Sequence, residues 1–335
     1  MCDADRVPLV AIATPVYNGA DHLADTMACV QAQTYPNLVH CVLDNASTDV
    51  TPEIIARFEG GRVPLITARN AVTLPQIDNW NAALGLVPGT VAYFRVLAAD
   101  DMIAPDCIEK LVALGEQNPR ADVIACQERV NTTLRGADLP RDRSVFDGRS
   151  IMRASLLKAL DFPYMHCLYR YPPRGIPADF YAAEWNGNKL LCSDVDVAMR
   201  VLSESCCAYV HEPLTMTRWP GSVTAAELIP HRVDLWSIML LIERWGPVAF
   251  DTRAEFLKCR ARYLRYYYLH LLLWAAQRKF NILEHHRSWL RGISLQPTML
   301  DYTHAVVEWP FLRLARRFRQ IVTRLGIPVP EYQLE

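Results

Sequence analysis

VPLVAIATPVYNGADHLADTMACVQAQTYPNLVHCVLDNASTDVT, from Val7 to Thr51, is the stretch whose reading decides the fold. Its first part, Val7 to Ala13, is a short unbroken apolar run, as expected of a parallel strand covered on both faces. A polar loop, TPVYNGA, follows. Leu23, Met27 and Val30 then recur at helical spacing and predict a helix over 21–33. Val39 to Leu43 reads as a second strand and ends abruptly in DNASTD. Strand, polar loop, helix and strand together predict a doubly wound α/β sheet.

The pattern repeats outward. Helices are predicted over 51–58, 79–86 and 105–116, with Pro52 in a first turn where proline is tolerated. Strands are predicted over 65–68, 91–97 and 123–126, and the 91–97 strand runs into AADD. In open α/β sheets ligands bind outside the carboxyl ends of the strands. TPVYN, DNASTD and AADD each follow a strand, so all three are expected at one edge. Residues 132–150 read as an irregular polar loop, 151–160 and 194–203 as helices, and Pro172, Pro173 and Pro177 mark a loop. From Pro230 onward the pattern is helical, with aromatic-rich segments at 231–245, 253–280 and 308–325. The expected division is a Rossmann-like sheet domain over 1–225 and a helical region over 226–335.

Half of the 335 residues are hydrophobic and 21% are charged, which predicts a sizeable core and excludes global disorder. The net charge of −1 is unevenly spread: from Arg232 onward, sixteen Lys or Arg face nine Asp or Glu. That basic part suits an anionic surface or is a solvated Arg-rich face. The segment 309–325, WPFLRLARRFRQIVTRL, carries five arginines and no acid, with an apolar face at helical spacing. Three partners suit it: a membrane interface, the protein's own core, or a second subunit in a homo-oligomer. Nucleic acid is not expected, since the chain as a whole is not basic and shows no recognition motif. The ten cysteines include no C-x-x-C pair and several sit in apolar runs, so free buried thiols in a reducing compartment are expected. No basic start leads into an apolar stretch, so no secretion signal is expected. The most apolar stretch, 263–276, is too short to span a bilayer. These features predict a cytoplasmic protein, with peripheral contact at the inner membrane face if the basic helix meets lipid.

Asp100 and Asp101 end a predicted strand in VAYFRVLAADDMIAPD. Adjacent carboxylates there suit Mg²⁺ or Mn²⁺, which take hard oxygen ligands; the same residues are also favoured as helix N-caps. Asp194, in SDVDVAMRVL, sits where the helix dipole favours an acid.

The stretch from Val10 to Thr51, and NWNAALGLVPGTVAYFRVLAADDMIAP after it, resemble in order and spacing the motifs of the inverting family 2 glycosyltransferases, which have the GT-A fold. The resemblance covers about the first 110 residues and thins beyond residue 130. It implies a nucleotide-sugar donor and an acceptor hydroxyl on a glycan, a lipid-linked carrier or a protein. Thr14 and Tyr17 would flank the nucleobase, Tyr17 packing on it. Asp44 would accept a hydrogen bond from a uracil or thymine imide, and Arg69 would lie near the base or diphosphate. Asp100 would be the metal ligand, with Asp101 supporting the metal or donor sugar. Asp194 would be the base, and Asp196 matches a second acid common in that helix. The family often has an acid where Ala98 stands and a histidine where Trp219 stands; Trp219 would stack on a sugar or pack in its loop. Arg218 would reach the diphosphate. Two rival readings are a sugar-1-phosphate nucleotidylyltransferase, for which TPVYNGADH lacks the Gly-rich basic loop, and a non-catalytic nucleotide-sugar-binding scaffold.

Overall fold

The computed structural model describes residues 7–158, 160–218, 231–308 and 310. Trp219 and all but one of residues 309–325 lie outside the described residues. The chain divides into two compact units. The first takes in residues 7–151, 160–183 and 193–218; the second takes in 152–158, 184–192 and the described residues from 231 onward.

The first unit is built on one mixed sheet. Its parallel half comprises β1 (Val10–Val16), β2 (Leu38–Asp44), β3 (Leu65–Arg69) and β4 (Tyr93–Val96), in the spatial order β3-β2-β1-β4. Beyond β4 the order continues through β9 (Leu168–Arg170), β6 (Ala121–Val130), β12 (Cys206–Thr217) and β5 (Met102–Ile103). β9 is antiparallel to both β4 and β6, and β6 and β12 are parallel. β4, β6 and β12 therefore point the same way as β1, and their carboxyl ends share an edge. β7 (Thr133–Arg135) and β8 (Val145–Asp147) pair with β6 and β12. Residues expected to be irregular between 132 and 150 thus include two short strands.

Helices α1 (Leu23–Gln31), α2 (Thr51–Ala56), α3 (Gln76–Leu84) and α4 (Cys107–Gln117) connect and flank the strands. Every residue of β1 and β2 is buried, as in parallel strands covered on both faces, and Thr14, His40 and Asp44 are buried with their apolar neighbours. One core gathers Ile12, Tyr93, Ile108, Leu111, Ile124 and Leu214; another gathers Val16, Leu23, Met27, Val42 and Ile54.

β1 runs further than the sequence suggests. Thr14, Pro15 and Val16 continue the ladder with β2, opposite Val42, Leu43 and Asp44. Residue 13 faces β4, because its carbonyl accepts from Leu97 N–H at 2.9 Å. Pro15, two residues on, faces the same side past the last β4 residue. Its missing N–H therefore costs no ladder bond.

β9 and β12 were not expected. β12 is twelve residues long but irregular, with register shifts around Pro213, and its sequence CCAYVHEPLTMT shows no clean alternation. Further helices are α5 (Gly148–Leu156), starting earlier than expected, and α6 (Ser193–Leu202).

In the second unit, β10 (Glu184–Trp185) and β11 (Asn188–Lys189) form a hairpin. Asn186 and Gly187 take φ of 48° and 70°, the left-handed pair that a tight hairpin demands. Helices α7 (Val233–Ala249), α8 (Arg253–Ala276) and α9 (Phe280–Gly292) follow. α8 opens with a reciprocal cap between Thr252 and Glu255. His286 is fully buried, bonded to the Tyr267 hydroxyl and the His231 carbonyl. Burial lowers its pKa to about 4, so it packs as a neutral ring. Among the described residues no helix is long and apolar enough to cross a membrane, and all nine cysteines are free.

Candidate active site

The loop after β1 and the loop after β2 are stitched into one surface. Asn18 N–H donates to Ser47 Oγ at 2.9 Å, and Thr48 N–H donates to Asn18 Oδ1 at 2.8 Å. Gly19 N–H donates to Thr51 Oγ1 at 2.8 Å, and Ala20 N–H to Asp49 Oδ2 at 3.0 Å. A side chain at Gly19 would meet Val16 at 2.6 Å, so the close approach requires glycine. Hydrogen bonds from Thr51 and Ala20 outweigh desolvation and hold the Asp49 carboxyl below its usual range.

Tyr17 is the half-exposed aromatic of this surface, at 50%. Thr14 differs: it is fully buried, and its hydroxyl lies 2.9 Å from His40 Nε2. Burial lowers His40 to about 3, so the ring is neutral. The Thr14 side chain thus forms the floor beneath the loop, because β1 continues through it.

Asp44 ends β2 and is 3% exposed. Its Oδ1 accepts from Ser47 N–H at 2.9 Å, and its Oδ2 pairs with the Arg69 guanidinium. Arg69 also donates to the Ser47 carbonyl at 2.7 Å. β2 and β3 are in register at Asp44 and Arg69, which explains the pairing. An ionised carboxylate offers about four acceptor directions, so Asp44 keeps capacity for a ligand.

The acidic loop after β4 is tied to α1. The Thr26 hydroxyl lies 2.9 Å from both the Ala99 and Asp101 carbonyls. Asp100 is half-buried, whereas Asp101 is 3% exposed. Burial raises Asp101 to about 6, opposed by the neighbouring His166. Arg218, just past β12, donates its backbone N–H to Asp101 Oδ1 at 3.2 Å. Its side chain reaches Asp25 Oδ2 and His22 Nδ1, each at 2.7 Å. The guanidinium expected at a diphosphate is therefore held by these residues of α1 and its approach.

Asp194 lies in the first turn of α6. Burial raises its pKa, against hydrogen bonds from its own and Val195 N–H; the Glu128 charge adds to the rise. Tyr169 and Tyr181 also lie within electrostatic reach of it. Asp196, two residues on, is buried.

Three buried side chains have no counterpart in the sequence analysis: Arg95, Glu128 and His166, at 0%, 1% and 2% exposure. Arg95 left a readable sign, a charge inside the apolar strand YFRV. Glu128 ends a long strand and His166 lies in a single 3₁₀ turn, neither marked by periodicity. Among the described residues no three side chains are grouped as a ready metal site. The donor set at Asp100, one half-buried carboxylate at a strand end, fits a Mg²⁺ or Mn²⁺ completed by phosphate oxygens and water.

The sequence profile of glycosyl transferase family 2 matches residues 11–173. An uncharacterized glycosyltransferase of Rickettsia prowazekii is 32% identical over 241 residues, covering 69% of this chain and 71% of the relative. The chain belongs to glycosyl transferase family 2. Abequosyltransferase RfbV of Salmonella typhimurium is 30% identical over 124 residues, 36% of each chain. The match to that relative thus spans about a third of its length, as does the match to an uncharacterized glycosyltransferase of Haemophilus influenzae (35%). Among solved structures, S. aureus TarS 1-349 in complex with UDP superposes with a TM-score of 0.55 at 14% identity, covering 90% of this chain and 81% of that one. The mannosyltransferase PcManGT from Pyrobaculum calidifontis, in complex with GDP-Man and Mn2+, gives a TM-score of 0.54 at 16% identity, covering 96% and 85%. These likenesses establish the GT-A fold, a mostly parallel sheet with flanking helices and further helices after it.

Proposed function

We propose that this family 2 protein transfers a sugar from a UDP- or dTDP-linked donor to an acceptor hydroxyl, with inversion. The observation that carries the reading is the gathering, at one sheet edge, of the stitched Tyr17–Asp44 surface and the Asp100–Asp101 loop. Tyr17, exposed and unencumbered, stacks on the base. Asp44, steadied by Arg69, accepts from the imide N–H. Asp100 would hold Mg²⁺ or Mn²⁺, and the ion would supply positive charge for the leaving diphosphate. Thr14 supports the loop from below and does not touch the ligand with its side chain.

Asp194 takes the acceptor proton as the hydroxyl attacks the anomeric carbon opposite the diphosphate. Its raised pKa makes it a stronger base than an exposed aspartate, and a single displacement inverts the centre. Relatives support a setting in polysaccharide or glycoconjugate biosynthesis: one is the abequosyltransferase above, and another is a succinoglycan biosynthesis protein, ExoO of Rhizobium meliloti, 28% identical over 162 residues. The solved neighbours are complexes with UDP, with UDP-GlcNAc, and with GDP-Man and Mn2+. We place catalysis in residues 1–225. The helical region 226–335, with its basic end, meets acceptor, a second subunit or an anionic membrane at the cytoplasmic face.

A screen of nucleotides and nucleotide sugars for stabilisation with and without Mn²⁺ tests this. UDP or dTDP and one of their sugars raise Tm more with metal than without. If neither nucleotide binds, the reading is wrong. If a donor binds but is never transferred or hydrolysed, the scaffold alternative holds.

A further inference from the structure

Beneath the acidic loop lies a buried polar chain that runs in one direction. Arg95, at the centre of β4, sends Nη2 to within 3.4 Å of His166 Nδ1 and Nη1 to within 3.5 Å of Cys107 Sγ. A guanidinium only donates, so Nδ1 accepts, and the ring hydrogen of that tautomer sits on Nε2. Nε2 carries a hydrogen in the imidazolium as well, so this side of the ring donates in either state. It faces three oxygens: Thr217 Oγ1 at 2.7 Å, Glu128 Oε1 at 3.3 Å and Asp101 Oδ2 at 3.4 Å. The Thr217 hydroxyl donates onward to Glu128 Oε1 at 2.5 Å. Glu128 is steadied on its far side by Arg135, 3.5 Å away. The contributors come from β4, the 3₁₀ turn before β9, and the ends of β6 and β12.

Charges this deep are not retained without partners. A network of this kind fixes side-chain direction where several elements end together. Asp101 has one further anchor, the Arg218 N–H, so its carboxylate is held between a backbone donor and the His166 ring. Asp100, its neighbour, has no side-chain hydrogen bond among the described residues and is oriented by the loop.

We propose that His166 is a positioning residue: it sets the direction of Asp101, and through the shared loop that of Asp100, for the divalent cation and the donor diphosphate. This rests on the functional reading above. The nucleobase surface made by β1, β2 and β3 shares no side chain with this chain of bonds, so the two contributions to donor binding are separable.

Calorimetric titration of UDP, with and without Mn²⁺, into wild type, His166→Leu, His166→Gln and Thr217→Val tests it. In His166→Leu the gain in UDP affinity conferred by Mn²⁺ falls about 10–100-fold, the range for losing a group that orients a metal ligand. Metal-free UDP affinity stays within about twofold. His166→Gln, whose amide N–H can occupy the Nε2 position, recovers most of the gain. Thr217→Val, which cuts the link to Glu128, loses part of it and supplies the answer if His166→Leu does not fold. A folded His166→Leu, or in its place Thr217→Val, with the full Mn²⁺ gain overturns the role of His166 alone. So does an equal loss of metal-free affinity, or a glutamine variant no better than leucine. Wild type without any Mn²⁺ gain overturns the metal reading and this role with it.

Discussion

The two halves of the sheet hold their loops by different means. In the parallel half, β3-β2-β1-β4, the loops after β1 and β2 are sewn together by part-buried bonds from backbone N–H groups to Ser47, Asp49 and Thr51. Where β4 meets the mixed half, β9-β6-β12-β5, strand ends and the acidic loop gather over buried charges: Arg95, Asp101, Glu128 and His166. A single such hydrogen bond costs about 0.5–1.5 kcal/mol to lose, whereas breaking a buried ionic set leaves uncompensated charge at about 3–5 kcal/mol. The half assigned to the nucleobase therefore tolerates change that the half assigned to chemistry does not.

The largest effect is expected at Asp194. Asp194→Asn lowers kcat about 10²–10⁴-fold, the range for loss of a general base, with UDP affinity unchanged by calorimetry. Since burial raises this carboxyl, the acid limb of the wild-type kcat profile lies above the ordinary aspartate range, and rate rises with pH through it. A limb at or below that range would remove Asp194 from the role.

Next is Glu128→Leu, which strands His166 and Arg95 and lowers stability by about 3–5 kcal/mol in urea unfolding. A loss below about 1 kcal/mol would erase the contrast between the halves. Tyr17→Ala weakens UDP binding by about 1–3 kcal/mol, the worth of one stacked base, and leaves Tm in place because the ring is half-exposed. Asp49→Ala is the smallest: about 0.5–1.5 kcal/mol of stability, with a modest loss of UDP affinity as the loops part. A larger stability loss there than at Glu128 would reverse the comparison.

The same contrast explains what the sequence disclosed. β1, α1 and β2 are regular, central and apolar, so periodicity reveals them, and their polar loops follow at fixed places. The family resemblance singles out Tyr17, Asp44 and Asp100 there. β9 and β12 are hidden for physical reasons: β9 is three residues long, and β12 is broken by Pro213 and paired irregularly. His166 cannot be found from spacing because its partners lie 38 to 71 residues away in sequence on four separate segments. Thr14 reads from the sequence as the start of the polar loop TPVYNGA; the end of β4 is what lets the following proline sit in a strand.

A crystal structure with UDP and Mn²⁺ bound tests the central claim most directly. The account predicts uracil against the Tyr17 ring with its imide at Asp44, Mn²⁺ between Asp100 and the diphosphate, and Asp194 facing the vacant acceptor side. Nucleotide bound away from the carboxyl ends of β1, β2 and β4, or metal bridged without Asp100, would contradict it.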